Sequence, residues 1–428
     1  MKAVISNKIY LTYSRELFDK LSKNLTFNFV KGKGMYQTRE VVKLCKRIGE
    51  KAITIPAACT HLIPEGAEII NKQVKTKIDF PQFRQTLRGE QEDVYNAVEG
   101  TCLIEANPGW GKTFIGCALA AKFGLKTLII VDKSFLKDQW AEEIYKCFGF
   151  KPGLLSAGKK SVDTPIVVAT VQTLHKLEGK YRDEFGLVII DEVHKCMAKC
   201  FLETLQQYNS SVKIGLSATM GRKDGKHIMF PHLFGLDRYK GETGNELTPK
   251  VHVYQPDINT PVGRSWAERI TNLFENENYQ EFLFNLAESY VEAGYTPLMV
   301  VPRKNFLKQV EKRLPTWGIV SGDVKDKMSI ANALLEGRLD GIVSEISCFT
   351  EGISVNILDC LIHATPSDNR YSLKQLIGRI TRPHKGKKTT PVIADIIIPG
   401  ATFMAQFKHT RLTHYINSGY KIEELQKF

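Results

Sequence analysis

The chain has 428 residues, 43% hydrophobic and 25% charged, which is the balance of folded globular domains and too long for one ordinary core. Its longest apolar runs, such as TLIIV and VIADIII, have strand length and fall far short of a membrane span, and nine cysteines without framework spacing point to reduced thiols. The formal charge is +13, and residues 1–80 hold 15 Lys/Arg against 7 Asp/Glu, a clustering that suits a polyanionic partner and, from charge alone, colloidal solubility equally well.

The opening MKAVISNKIYLTYSREL has no unbroken apolar stretch before a small-residue cleavage site, so a cytoplasmic protein without signal peptide is expected. Residues 1–80 mix short segments with a helical reading of TREVVKLCKRIGE and are taken as a small basic α+β domain. From about residue 84 the chain alternates strand and helix. TCLIEA, KTLIIVD, TPIVVAT, FGLVIIDE and KIGLSAT read as strands buried on both faces, with KTFIGCALAAKFG and KSFLKDQWAEEIYKCFG as helices between them. Such alternation predicts a parallel sheet covered by helices over 84–225. Residues 226–262, rich in Gly, Pro and Asn, read as a linker or irregular element. A second α/β domain is expected over 263–428, with strands in PLMVVP, WGIVSG, GIVSE, CLIHATP and PVIADIII and helices over 303–313 and 325–336.

The stretch EANPGWGKTFIG carries the chemistry. Ala106, Asn107, Pro108, Gly109, Trp110, Gly111, Lys112 and Thr113 form a phosphate-cradling loop between a strand and a helix, and the helix N-terminus adds its own attraction for anions. Lys112 would reach the β- and γ-phosphates of ATP, and the Thr113 hydroxyl would bind Mg²⁺. In LVIIDEVH a hydrophobic strand ends in two acids. Asp191 at the strand end suits the second Mg²⁺ contact, and Glu192 suits polarisation of the attacking water. His194, Cys196 and Cys200 have no fourth ligand nearby, and ordinary thiols are preferred to a zinc site.

Lys112–Thr113, DEVH at 191–194, SAT at 217–219 and QLIGRITR at 375–382, in that order, resemble a superfamily 2 helicase over about residues 84–382. The resemblance implies two RecA-like motor domains in tandem, fuelled by ATP and Mg²⁺. It assigns Arg88 and Gln91 to an adenine-reading element, a task that a Gln amide suits because it both donates and accepts. It further assigns Ser217 and Thr219 to coupling of the nucleotide site to strand movement, Arg379 and Arg382 to the γ-phosphate, and Gln375 to a polar nucleotide contact. Its nucleic-acid track would include 134–140, 169–173, 302–305 and 349–354, with Thr170, Arg303, Thr350 and Gly352 as contacts. Thr170 serves equally well as a cap at a strand end.

Val193, His194 and Gln375–Leu376 depart from the DEAD-box pattern, and SFLKDQW, DEVH and QLIGRITR look closest to the XPB-like and bacteriophage UvsW-type branch. That resemblance implies DNA as partner, branched and duplex and also single-stranded, remodelled at forks, D-loops and four-way junctions during replication or recombination. A duplex translocase serving as motor of a repair or restriction assembly, and a nucleic-acid-stimulated ATP switch, are the alternatives. Residues 1–80, with Lys2, Lys8, Lys31, Lys33, Lys43, Lys46 and Arg47, are expected either to bind duplex DNA or only to pack on the motor. The strand-separating element is sought in 220–225 or in GKHIMFPHLFG, whose aromatics fit a core equally well. A monomer with no membrane contact is the default, joined by replication or recombination proteins.

Overall fold

The computed structural model describes every residue except 32–37, 108, 157–158, 196–198, 223, 242–246, 303, 323, 325–326, 350–354, 368, 388–389 and 425–428. The expected contacts Pro108, Arg303, Thr350 and Gly352, and the basic Lys33, therefore lie outside the described residues, as does Cys196. The chain divides into two compact units, Met1–Glu242 and Thr243–Phe428. Among the described residues no helix is long and apolar enough to cross a membrane.

The first unit begins with a mixed five-stranded sheet in the order Lys46–Ile48, Ala52–Pro56, Lys8–Thr12, Lys2–Ile5, Glu68–Asn71. Lys2–Ile5 and Lys8–Thr12 alternate inward and outward side chains, burying Ala3, Ile5, Ile9 and Leu11, while Ala52–Pro56 is buried on both faces around Ile53 and Ile55. A helix, Arg15–Asn24, starts at Ser14, whose hydroxyl accepts the Leu17 amide at 3.2 Å. It leads into a hairpin of Thr26–Lys31 and Thr38–Lys43. The helix expected over 38–50 is thus two strands. Val41 points out and Val42 in, a period of two that pairing with the Phe27–Phe29 strand enforces over local helix propensity.

The same unit holds an eight-stranded sheet. Its order is Lys159–Lys160, Gly153–Ser156, Ile166–Thr170, Thr127–Val131, Leu187–Ile190, Val212–Ser217, Cys102–Ala106, Arg238–Gly241, and only the first pair is antiparallel. Apolar side chains cover both faces, as buried parallel strands require. One of the two apolar clusters continues without a break into the small N-terminal sheet. Ile5, Ile9, Leu25, Phe29 and Ile55 belong to the same core as Leu128, Ile130, Val188, Met229, Phe230 and Phe234. Polar links reinforce it: the Asn7 amide donates to Asn209 Oδ1 and Asn7 Nδ2 to the Gln206 carbonyl, each at 2.8 Å.

The second unit is a seven-stranded, all-parallel sheet in the order Trp317–Val320, Gly341–Glu345, Pro297–Val301, Cys360–His363, Val392–Ile396, Lys250–Tyr254, Lys421–Glu424. Clusters around Leu283 and Phe306 on one face and Leu361 and Leu376 on the other fill its two sides. The stretch 226–262, expected to be irregular, supplies the helix Phe230–Phe234 and one strand to each large sheet, Arg238–Gly241 and Lys250–Tyr254. Both parallel sheets and the mixed N-terminal sheet match the fold class expected from the strand–helix alternation.

Candidate nucleotide and coupling site

Three neighbouring strands of the first large sheet end side by side at their carboxyl termini: Leu187–Ile190, Val212–Ser217 and Cys102–Ala106. They carry the acid box, the SAT turn and the phosphate loop respectively. The loop after Cys102–Ala106 turns on Gly109 and Gly111, with φ of +93° and +96°. The left-handed torsion disfavours any side chain at Gly111, and a Cβ there would fall 2.6 Å from Gln91 Nε2, displacing that amide from the loop. The helix Lys112–Phe123 begins at once, aiming its free amides at the loop. Lys112 Nζ donates to the carbonyl of Ala106 at 3.0 Å.

Arg88 and Gln91 reach this loop from the helix Gly89–Ala97 and its N-terminal flank. Arg88 Nη2 and Gln91 Nε2 both donate to the Trp110 carbonyl, at 2.5 and 2.7 Å, and Gln91 Oε1 accepts the Arg88 amide at 3.1 Å. Gln91 thus spends both amide groups within the chain in this conformation. Those bonds still leave the amide a second N–H and a second lone pair on Oε1. The Trp110 side chain is wholly buried in the core, so this residue belongs to the loop through its backbone.

Asp191 and Glu192 stand at the end of a strand whose four residues are buried. Asp191 Oδ2 accepts the indole N–H of Trp140 at 3.0 Å, and Oδ1 accepts the Glu192 amide at 2.9 Å. Burial, reinforced by the Glu192 charge, pushes the Asp191 carboxyl up to about 6, against the pull of Trp140 and Lys112. Glu192 is driven the other way. Burial opposes its ionisation, but the His194 hydrogen bond and the charges of Lys112 and Lys195 outweigh it and hold the carboxyl down at about 2. One acid is primed to be completed as an anion by a cation, and its neighbour is already ionised. Glu192 also has φ of +51°, a strained backbone for a non-glycine residue at the point where chemistry would occur.

Ser217 joins these parts. Its fully buried hydroxyl lies 2.8 Å from His194 Nδ1, donates to the Thr219 carbonyl at 2.6 Å and accepts the Thr219 amide at 3.2 Å. His194 Nδ1 in turn lies 3.1 Å from Glu192 Oε2. The chain Glu192–His194–Ser217–Thr219 runs from the second acid of the box into the turn after the strand Val212–Ser217. The Arg222 guanidinium holds the His194 carbonyl and is itself clamped by Asp224 at 2.7 and 2.8 Å. Met220 donates its amide to Glu105 Oε1 at 3.3 Å, tying that turn to the nucleotide strand.

One residue of the expected track is buried, and of the two readings kept open for the aromatics of GKHIMFPHLFG the core one holds. Trp140, within the segment 134–140, is 1% exposed and packs beneath the acid box, where Gly116 makes room for it: a Cβ at Gly116 would lie 2.7 Å from its ring. The aromatics of GKHIMFPHLFG are core, because Met229, Phe230 and Phe234 fill the apolar cluster beneath the N-terminal sheet, and Met220 is buried as well. Thr170 caps the helix Val171–Lys176, accepting the Thr173 amide at 3.3 Å. Sequence reading missed the roles of Trp140 and Arg222, and no local signal marks either.

In the second unit Gln375 and Arg379 lie four residues apart on the helix Arg370–Ile380, half-buried on one face. Arg382 follows the helix, and its Nη1 donates to Asn356 Oδ1 at 3.3 Å.

A phosphate loop, an acid box and a linking hydroxyl at the rim of one parallel sheet, followed by a second parallel sheet, define a nucleotide-hydrolysing motor with tandem RecA-like folds. Residues 68–222 match the family described as Type III restriction enzyme, res subunit. The chain is 33% identical to "Probable helicase D10" of Escherichia phage T5 over 433 residues, 98% of this chain and 95% of that protein. It is 26% identical over 357 residues to "ATP-dependent DNA helicase uvsW" of Enterobacteria phage T4, covering 74% of this chain and 70% of that one. Among solved structures the Hef helicase domain of Pyrococcus furiosus has a TM-score of 0.52 at 14% identity, over 76% of this chain and 98% of that domain, a likeness of fold alone. The chain belongs to the superfamily 2 ATP-dependent helicases.

Proposed function

We propose that this helicase is a DNA motor that remodels branched DNA. ATP would sit on the 106–113 loop, with Lys112 on its outer phosphates and Thr113 and Asp191 holding Mg²⁺, which supplies Lewis-acid stabilisation of the transferred phosphoryl group. The donor set fits: a hydroxyl, a carboxylate whose raised pKa a cation would lower, and an ammonium whose charge acts on both acids. Glu192 would orient the attacking water, and Gln375, Arg379 and Arg382 would contact the nucleotide from the second unit. Ser217 and Thr219 would pass the state of the nucleotide into the turn they build.

The observation that carries the DNA reading is the N-terminal sheet and hairpin. They share one core with the motor, yet expose Arg39 and Lys43 on the outward side of a hairpin strand, followed directly by exposed Lys46 and Arg47. Such a basic face fixed to a motor suits phosphate contacts that do not read sequence. The relatives include one named a DNA helicase and one named an RNA helicase, so the RNA duplex is the arm of the test that separates the two. The family match to a restriction subunit favours a second reading, a translocase that drives a partner enzyme.

The test is ATP-dependent resolution of a synthetic four-way DNA junction, beside a linear DNA duplex and an RNA duplex of equal length, with Lys112→Ala as the inactive control. Junction resolution by the wild type alone is expected. Hydrolysis stimulated by linear duplex with no strand displacement anywhere would favour the translocase, and preference for RNA would overturn the DNA reading.

A further inference from the structure

A half-open cavity of about 350 Å³, with mixed polar and apolar walls, lies at the opposite end of the first large sheet from the nucleotide loop. Thr101, Ser210, Ser211, Lys213 and Asp237 line it where the strands Cys102–Ala106, Val212–Ser217 and Arg238–Gly241 begin, and Ala57–His61 and Gln73 of the N-terminal domain form another wall. A five-residue strand spans about 17 Å, so the sheet itself separates this cavity from the phosphate loop.

Two groups in the lining are incomplete. Lys213 is 6% exposed. Its backbone amide donates to Thr101 Oγ1 at 3.0 Å, but among the described residues its ammonium has neither a hydrogen-bond acceptor nor an ion pair. Ser210 is 1% exposed, and its hydroxyl likewise has no partner, although its carbonyl accepts Gln73 Nε2 at 3.1 Å. A hydroxyl buried without an acceptor costs free energy that a folded chain ordinarily avoids, and the ammonium of a side chain more than nine-tenths buried, with no anion beside it among the described residues, leaves a positive charge unmatched at the cavity wall. Burial alone pushes the Lys213 amine down to about 8, so it still carries its proton at neutral pH. Of the other titratable groups in the wall, His61 and Asp237 are both exposed at the rim. The space holds roughly ten times the 30 Å³ share of one water, enough for a hydrated tetrahedral anion.

We propose that this cavity binds a phosphate-type oxyanion, with the Lys213 ammonium and the Ser210 hydroxyl as its buried donors. Two sources present that chemistry, free inorganic phosphate and the terminal phosphate of a nucleic-acid strand. The site stands between the N-terminal domain and the motor sheet, so its occupant would brace their joint.

The experiment uses full-length Lys112→Ala protein, so that phosphate binding at the nucleotide loop is weakened, and adds Lys213→Met or Ser210→Ala to it. Melting temperature is followed in sodium phosphate against sodium chloride of equal ionic strength. Binding of a 5′-phosphorylated oligonucleotide is compared with that of its unphosphorylated twin. Phosphate should raise the melting temperature of the parent. Lys213→Met should abolish that response, and Ser210→Ala should raise the phosphate concentration at half-effect about tenfold. A Lys213-dependent preference for the phosphorylated oligonucleotide would identify a strand end as the source, and a response to inorganic phosphate alone would identify the free ion. A phosphate response equal in all three proteins, or absent from the parent, overturns the proposal.

Discussion

Asp191 shows how a single donor can set the chemistry of a carboxylate. Its side chain is buried, which favours the protonated form, and only the Trp140 indole, the Glu192 amide and the nearby Lys112 charge pull it back toward the anion that a divalent cation requires. Trp140→Phe keeps a ring against Gly116 and deletes the N–H. A hydrogen bond to a charged group contributes about 1.5–3 kcal/mol, so the Mg²⁺ concentration needed for half-maximal ATP hydrolysis should rise about 10- to 100-fold. The maximal rate should return at saturating Mg²⁺, because neither Lys112 nor Glu192 is touched. A Mg²⁺ titration of the ATPase reads this directly, and an unaltered requirement would mean that the indole only packs. The same pair marks a limit of sequence reading. The acids are legible because a β-branched run ends in them, whereas Trp140 lies 51 positions away and meets Asp191 only once the sheet has formed.

Among the elements, strands buried on both faces were legible as unbroken apolar runs, and TLIIV, IVVAT and LVII fall where expected. Strands of the two large sheets that escaped notice include Lys159–Lys160, Arg238–Gly241 and Lys421–Glu424 at sheet edges and Gly153–Ser156 and Lys250–Tyr254 beside an edge. An edge strand needs no apolar face toward a neighbour, so RYKG and KIEE carry no run to find. The hairpin over 26–43 was misread for a related reason: its place is set by contacts distant in sequence. Lys226, 4% exposed, meets Glu40 of the hairpin at 2.7 Å, and its ammonium lies 5.8 Å from the Phe29 ring centre. Lys226 follows Arg222 and Asp224, which hold the carbonyl of His194. This pair should therefore act on stability and on coupling together. A double-mutant cycle of Glu40→Gln and Lys226→Met is expected to give an interaction energy of about 1–3 kcal/mol in denaturant melts. DNA-stimulated ATP hydrolysis should fall in each single variant while hydrolysis without DNA stays within about twofold. Additive melts with unaltered stimulation would reduce the contact to ordinary surface packing.

At the scale of the whole molecule, the shared core decides how the N-terminal domain can be tested. Removing residues 1–80 would strip Ile5, Ile9, Leu25, Phe29 and Ile55 from Leu128, Ile130, Phe230 and Phe234, exposing an apolar face that belongs to the motor. Lost DNA binding after such a deletion would report damage to the sheet rather than a missing contact. Surface charges separate the two. Arg39, Lys43, Lys46 and Arg47 are exposed, so replacing all four with Gln leaves the core intact; Arg47 gives up its stacking over Tyr13 at 4.3 Å, a surface interaction of about 0.5–1 kcal/mol. If these side chains neutralise phosphates, each releases counterions from the duplex, and the slope of log affinity against log salt flattens by about 0.9 per contact. The fourfold variant should therefore lose roughly three units of slope if most of the four engage, with affinity falling most at low salt. ATP hydrolysis without DNA should match the wild type, because the contacts described for Arg47 are to Gly49 and Tyr13 and all four side chains are exposed on the N-terminal domain. Duplex binding across a salt series, with melting temperature as the folding control, measures both quantities. A parallel slope with intact folding would assign the basic face to solubility and move the DNA contacts elsewhere on the motor.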